Sequence, residues 1–423
     1  VQPLFRSPLS LDAGIFVGGG GGGGAPDGGG LITRLHLNLT YRFKHVSFFT
    51  GYSRLDFPTG EIGGNNLNAG LTFSTQFSTA RKGGTLSKTD GFVDNLDQQS
   101  KLRVQVTGQN YLNFAGRPTF QSDVDAPRGG EISMLGVELD HFFHEKWYAA
   151  LKLHGAVAGG IDGYMSYLVG LGFEQALGTD RLTLDTQLLA GPSGGGGIAS
   201  GGGGIIQGSV GLRALVGNAY GIKAAIGQTI TPGGEFNGTL LELGLSKNFQ
   251  FVSTASDRKK TAYRLKDTDR LHEFGFELLN RTYYSSANSV DKNERPYDRA
   301  FNLIGLIASK KIHPHFDILG ATYWAYQGSY GAYAEGLLGV RYRYEWTPSW
   351  QFRAQVLGGA AGGGGIDTGH GLVIQYSAGL AHQLNQNWGF SIGAGQMTSI
   401  SGNFKPFFTD VGIIYRFATI EKQ

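Results

Sequence analysis

The side chains that could do chemistry in this chain are charged residues set singly among polar neighbours. They are Arg34, His36, Arg42, Arg103, Lys152, Arg213, Lys223, Arg341, Arg343 and Arg353, with Glu138, Asp140, Asp185, Glu273, Glu277 and Glu345. Mixed charges along one wall have two uses. They can pair into a salt-bridge network that hydrates and stiffens the wall, or they can line a mildly cationic conduit that attracts anionic solutes. The mixture of signs argues against strong selectivity. Other chemistries find little support. His141 with His144, and His313 with His315, fall near turns and lack a carboxylate or third ligand to complete a metal site. No His-Glu-x-x-His stretch occurs, and no Gly-x-Ser-x-Gly nucleophile elbow is expected. Cysteine is absent, which removes disulfide frameworks, cysteine zinc sites, c-type haem attachment and cysteine nucleophiles. The expectation is no catalytic, cofactor-binding or metal site, and so no enzyme.

The elements that must position these residues show period two. Between Thr33 and Lys44, Leu35, Leu37, Leu39, Tyr41 and Phe43 fall on one face. Arg34, His36, Asn38, Thr40 and Arg42 fall on the other. A strand separates two such sets, whereas a helix would scatter both. The pattern returns in Leu67–Phe77, Leu102–Gln109, Leu182–Leu188, Val340–Trp346, Phe352–Val356 and Leu372–Leu384. Runs of this kind predict about 20 strands, starting near 9, 31, 46, 66, 101, 132, 147, 164, 181, 205, 220, 239, 270, 300, 315, 333, 350, 371, 388 and 406. That spacing suits strands of about 9–11 residues, the length that crosses a membrane.

Composition narrows the class. The 423 residues include 70 Gly, 27 Phe and 19 Tyr, with 12 Pro and 16% charged residues, too rich in aromatics for disorder and too poor in proline for collagen. No apolar run approaches the roughly 18 residues of a membrane-spanning helix. A transmembrane β-barrel stays open, because its lipid face uses every second residue. A net charge of +3 is too small to predict a nucleic-acid partner. Val1 opens directly onto Gln2-Pro3-Leu4, and the expectation is a mature, processed chain.

Short polar turns alternate with longer connections, among them the glycine-rich runs Gly18–Gly30, Gly194–Gly204 and Gly358–Gly371. A barrel with both termini in the periplasm puts short turns there and long loops outside. The long connections Arg81–Ser100 and Ser253–Asp269 would be periplasmic excursions. The second contains the basic stretch Asp257-Arg258-Lys259-Lys260, which would be a solvated turn or a dock for an acidic partner. Each glycine run sits in a similar local order, within segments of about 9–80, 181–251 and 350–418. Repeats of this kind indicate one β-array rather than separate domains. The runs admit three readings: flexible or tightly folded loops, close backbone packing against a partner chain or polymer, and engineered or unassigned residues.

The last strand carries the most specific pattern. Asp410-Val411-Gly412-Ile413-Ile414-Tyr415-Arg416-Phe417 resembles the assembly signal of Gram-negative outer-membrane barrels. In that signal a polar residue, a glycine, an aromatic or apolar residue and a final aromatic hold fixed places, here Asp410, Gly412, Tyr415 and Phe417. Residues 418–423 follow Phe417 and would form a short periplasmic tail. Aromatics such as Tyr41, Phe43, Trp147, Trp346, Trp350 and Trp388 cluster beside the short turns, as girdles do at membrane interfaces. The resemblance implies an all-β fold: a single transmembrane antiparallel β-barrel of roughly 20 strands with internal repeats, in the outer membrane of a Gram-negative bacterium. It implies outer-membrane lipid and the barrel-insertion machinery as partners, with room for a periplasmic or surface protein. The expected function is a channel or export conduit for a hydrophilic solute or polymer, lined by Arg34, His36, Arg42, Arg103, Lys152, Arg213, Arg341, Arg343 and Arg353. The alternative is a surface scaffold or adhesion protein whose glycine-rich loops bind a protein or glycan. A propeller fits less well, because its 40–50-residue blades are shorter than these units.

Overall fold

The computed structural model describes residues 2–3, 8–22, 24–43, 46–73, 98–112, 132–179, 181–217, 219–253, 270–285, 290–298, 300–385 and 387–421. Every element among them is a strand. In chain order these are β1 (Gln2–Pro3), β2 (Leu9–Gly19), β3 (Leu31–Arg42), β4 (Val46–Asp56), β5 (Gly63–Phe73), β6 (Gln98–Leu112) and β7 (Ile132–Phe142). Next come β8 (Trp147–Ala158), β9 (Met165–Ala176), β10 (Leu182–Gly194), β11 (Gly204–Val216), β12 (Tyr220–Ile230), β13 (Asn237–Ser253) and β14 (Arg270–Tyr284). The last are β15 (Ala300–His313), β16 (Phe316–Gln327), β17 (Ala334–Glu345), β18 (Trp350–Gly362), β19 (Leu372–Gln383), β20 (Trp388–Ser399) and β21 (Phe407–Glu421).

The strands do not close into one large barrel, which corrects the expectation of a single barrel of roughly 20 strands. β6 turns away from β5 and pairs along its whole length with β13, from Gln98 opposite Ser253 to Leu112 opposite Thr239. With β12 also paired to β13, β6–β13 form a closed eight-stranded barrel. β14–β21 form a second one, closed by β14 on β21 and β20 on β21. One residue pair, Phe251 opposite Glu421, joins the two ladders. β2–β5 form a separate sheet extended by the two residues of β1. The physical reason is interior volume: eight strands enclose a space that side chains can fill, whereas about 20 would enclose a water-wide lumen. β21 runs on to Glu421 because β14 extends to Arg270 beside it, so residues 418–421 are strand rather than tail.

Short turns gather at one end of the strands and longer loops at the other. The expected long connections at 81–100 and 253–269 fall almost wholly outside the described residues, as do the basic stretch 257–260 and the turn at 44–45.

The glycine-rich loops are folded, and three of them share one hydrogen-bond pattern. Gly20 N donates to Gly30 O, Ser193 N to Gly203 O and Ala361 N to Gly371 O. Inside each, the same three short turns follow: Gly22–Ala25–Asp27–Gly30, Gly195–Ile198–Ser200–Gly203 and Gly363–Ile366–Thr368–Gly371. The loops pack on one another within the chain. A Cβ on Gly163, whose φ is +82°, would sit 2.7 Å from Gly363 N of the other barrel. Asp162, between the barrels, accepts from Lys292 at 2.5 Å and from Thr368 Oγ1 at 2.9 Å. Lower down, small residues let the barrel walls approach, with Gly155 of β8 against Ala360 of β18. The β2–β5 sheet meets the second barrel in the same way, Gly19 lying against Trp324 and Ala325 of β16.

Candidate functional site

The interiors of the two barrels hold the charged residues. Arg103 of β6, 1% exposed, reaches Asp140 of β7 at 2.7 Å, Glu174 of β9, and Asp185 of β10 at 3.5 Å. β10 stands opposite β6 in the barrel, so this side chain spans the lumen. Arg213 of β11 joins Glu174 at 3.1 Å and Asp185 at 3.3 Å. Lys152 of β8 sits 3.0 Å from Glu138 and 2.7 Å from Glu242 of β13, and Lys223 of β12 lies 3.1 Å from Glu242. Burying one such ion costs several kcal/mol, which only pairing and hydrogen bonding offset. Each cation here has at least two anionic partners.

The second barrel repeats the principle with other residues. Glu277 of β14 accepts from Arg341 and Arg353, each at 3.1 Å, and from Ser391 at 2.5 Å. Arg343 pairs with Asp317 at 2.9 Å. Arg281 makes two 2.8 Å bonds to Asp410 and one to Gln375, with its guanidinium 3.9 Å from the ring centre of Tyr323 and 3.8 Å from that of Phe408. A corresponding rung crosses the first barrel, where Gln109 donates to Glu242 at 2.8 Å and to Gln207 at 3.1 Å. Both lumens close at the loop end with apolar and aromatic side chains: Tyr111, Ile161, Tyr164 and Phe236 in one, Tyr283, Phe301, Tyr333 and Phe404 in the other. Cavities of about 20 Å³ and 30 Å³ lie among the second barrel's charges, each with room for one or two waters. Above the barrels, Tyr297 accepts from Asp367 N at 2.9 Å, and partial burial pushes its hydroxyl up to about 12.

The expected lining residues therefore divide into three groups. Arg103, Lys152 and Arg213 meet inside the first barrel; Arg341, Arg343 and Arg353 meet inside the second. Arg34, His36 and Arg42 lie on the β2–β5 sheet, apart from both: His36 faces Asp12 at 3.4 Å, and Arg42 is exposed. Of the four carboxyl-terminal signal positions, Asp410 points inward as the partner of Arg281. Gly412 leaves space that a Cβ would contest with Leu279 at 2.9 Å. Tyr415 packs at a tilt against Trp388 at 4.9 Å, and Phe417 stacks beside Phe276 at 5.7 Å. Sequence reasoning missed Arg281, Glu242 and Glu335: Glu242 alternates with Leu241 and Leu243, whereas Arg281 stands between the polar Asn280 and Thr282, where alternation gives no signal. The expectation of no Gly-x-Ser-x-Gly motif is corrected as to spacing, which Gly389-Phe390-Ser391-Ile392-Gly393 has. Ser391 stands mid-strand in β20 and donates to Glu277, so the strand–turn–helix elbow of a serine nucleophile is not formed.

The outer faces carry the complementary set. Leu188, Val210, Leu212, Ile222, Leu243 and Leu245 are exposed on the first barrel, and Leu278, Leu306, Val340, Val356, Ile392, Val411 and Ile413 on the second. Toward the turn end Phe143, Trp147, Tyr344, Trp346 and Trp388 are exposed; toward the loop end Tyr167, Tyr284 and Phe407 are exposed. Closed ladders, an apolar outer belt, flanking aromatics and polar interiors are what a strand-built protein needs in lipid. The chain is built from closed β-barrels with the outer surface of a membrane-spanning one. No family model and no curated protein matches its sequence. Its run of strands is similar to that of the outer-membrane channel DcaP of Acinetobacter baumannii, at 10% identity over 97% of each chain and a TM-score of 0.23. It is also similar to Pseudomonas aeruginosa OpdQ, at 9% identity over 97% of each chain and a TM-score of 0.26. A de novo designed transmembrane β-barrel matches 34% of this chain and 94% of its own, at 10% identity and a TM-score of 0.22. With likeness at this level, the assignment of this barrel protein rests on its own geometry.

Proposed function

We propose that this barrel protein works in a Gram-negative outer membrane as a gated, channel-type protein for small hydrophilic solutes. Each eight-stranded lumen would be held shut at rest by its own ion pairs. One observation carries the reading: both lumens are crossed by paired charges and amides where apolar filling would do. Replacing a buried ion pair with well-packed apolar groups is often neutral or stabilising. Stability alone therefore gives little reason for Arg103, Lys152, Arg213 and Lys223 to lie inside one barrel with Glu138, Glu174, Asp185 and Glu242. A polar path that hydrates when its pairs part gives one. In planar bilayers the purified protein should show small, infrequent conductance steps. Arg103→Gln removes the cation that Asp140, Glu174 and Asp185 share across the lumen and should raise the open fraction several-fold while the barrel still migrates faster unboiled than boiled. Silence from both proteins would overturn the reading.

A second reading, a surface scaffold, is favoured by the loops. Three of them share one fold and each is packed against neighbouring loops, which presents a defined surface rather than flexible tethers. It predicts no conductance, and loss of a bound protein or glycan when residues 195–203 are shortened.

A further inference from the structure

The β2–β5 sheet is built like half of a barrel. Its loops match those of β10–β13 and β18–β21, the four strands that complete each closed barrel: Phe57 N donates to Ile62 O, as Ser399 N donates to Phe404 O, and the 20–30 loop has the turns already described. The ladders match as well. Phe16 stands opposite Arg34 as Leu189 stands opposite Gln207 and Leu357 opposite Gln375. Burial does not match. Leu189 and Leu357 are each 1% exposed inside their barrels, whereas Phe16 is 52% exposed in the corresponding place. Asn66 is exposed where Leu240 and Phe408 are fully buried. Among the described residues nothing lies across from the inner face of this half.

Its edges are open too. Among the described residues β5 pairs only with β4, and β2 pairs beyond β3 only with β1, at Ser10 and Leu11. An unpaired ladder edge in hydrocarbon leaves backbone groups without hydrogen bonds, at several kcal/mol each. We propose that two copies of this chain close their β2–β5 sheets into one shared eight-stranded barrel, about a two-fold axis along the membrane normal. Four strands from each copy give the strand number the chain already closes twice. β2 runs toward the loop end and β5 runs back, so β2 of one copy lies antiparallel to β5 of the other. A two-fold then forms both seams at once from one pair of edges. The inner face suits a copy of itself, since it offers both signs, Asp12 and Arg34, beside His36 and the amides Asn38 and Asn68. The pairing rests on membrane placement of the barrels and is independent of whether they conduct.

The chain has no cysteine, so engineered thiols report the seam cleanly. Ala13→Cys on β2 is combined in turn with Leu67→Cys, Ala69→Cys or Leu71→Cys on β5, all outward positions. Oxidation in native membranes should give a band of twice the chain mass with at least one pair, lost on reduction, and the unmodified protein in mild detergent should sediment as a dimer. A monomer in sedimentation, with no doubled band from any pair, would overturn the proposal. So would crosslinks only to a band of another mass, which would assign the edge to a different occupant. If a variant loses its heat-modifiable migration, sedimentation of the unmodified chain decides. Heat-modifiable monomers would remove the pairing and leave the two closed barrels standing.

Discussion

A single position on β13 shows how sharply the two faces of a strand differ. Leu243 points outward and is 67% exposed, while Glu242 beside it is fully buried between Lys152 and Lys223. Leu243→Arg should cost about 2–4 kcal/mol near mid-membrane, because a charge there meets hydrocarbon. Glu242→Gln strips an anion from two buried lysines and should cost about 3–5 kcal/mol, the usual effect of breaking a buried pair from one side. Denaturant unfolding in lipid vesicles measures both, and a neutral result at Leu243 would mean that this face does not meet lipid. Phe417 belongs to the same scale. If the insertion machinery reads it, Phe417→Ala should lower the inserted amount with synthesis unchanged, as quantified in membrane fractions. The outward and inward sets were legible, because alternation is local: Leu35, Leu37 and Leu39 against Arg34 and His36 needs nothing beyond neighbouring residues. Partner choice was not. That Arg281 meets Asp410, or Arg103 meets Asp185, depends on which strands stand opposite, and no local pattern encodes that. The signal motif itself is partly a packing rule. The polar-x-glycine of Asp410 and Gly412 recurs as Glu242 and Gly244, and as Asn68 and Gly70, at the same place in each four-strand unit.

Elements were the most readable level. All 20 long strands start within three residues of the positions the sequence predicts, from Leu9 to Phe407. Short turns such as Gly178-Thr179 and Thr347-Pro348-Ser349, between runs of strict alternation, fix both ends of a strand. The glycine runs were less readable, because glycine permits a flexible coil and a tight fold equally. What separates the two is the neighbouring loop, and this emerges only when the barrels stand side by side. The loops can be tested one residue at a time. Gly163→Ala forces a side chain into a left-handed conformation and against Gly363 of the other barrel, and should cost about 1–3 kcal/mol or more. Gly24, with φ +72° and open space around it, should lose only the conformational part on the same change. Thermal unfolding of the two variants compares them directly, and equal losses would mean that the two loops do not pack as described.

At the scale of the whole molecule, strand number was legible and strand closure was not. Sequence alternation gives a count of strands in order, and in an antiparallel array consecutive strands pair by default. A barrel of about 20 strands and two barrels of eight share nearly all of those pairings. They differ only at the seams, where β6 leaves β5 for β13 and β21 leaves the chain order for β14. The repeat in the sequence pointed to one array because its units look alike, yet likeness also lets each group of eight close on itself and fill its lumen with side chains. The seam is therefore the place to test the account. Val106 of β6 and Leu245 of β13 are direct cross-strand partners and both are exposed, as are Leu278 of β14 and Ile413 of β21. In the cysteine-free chain, Val106→Cys with Leu245→Cys, and separately Leu278→Cys with Ile413→Cys, should each form a disulfide within one copy of the membrane-inserted protein. It would be read as a shifted monomer band and confirmed by peptide mass. Failure of both pairs, with thiols placed on β13 and β14 in a third variant crosslinking instead, would mean that the strands close in one large ring and would contradict the two-barrel structure.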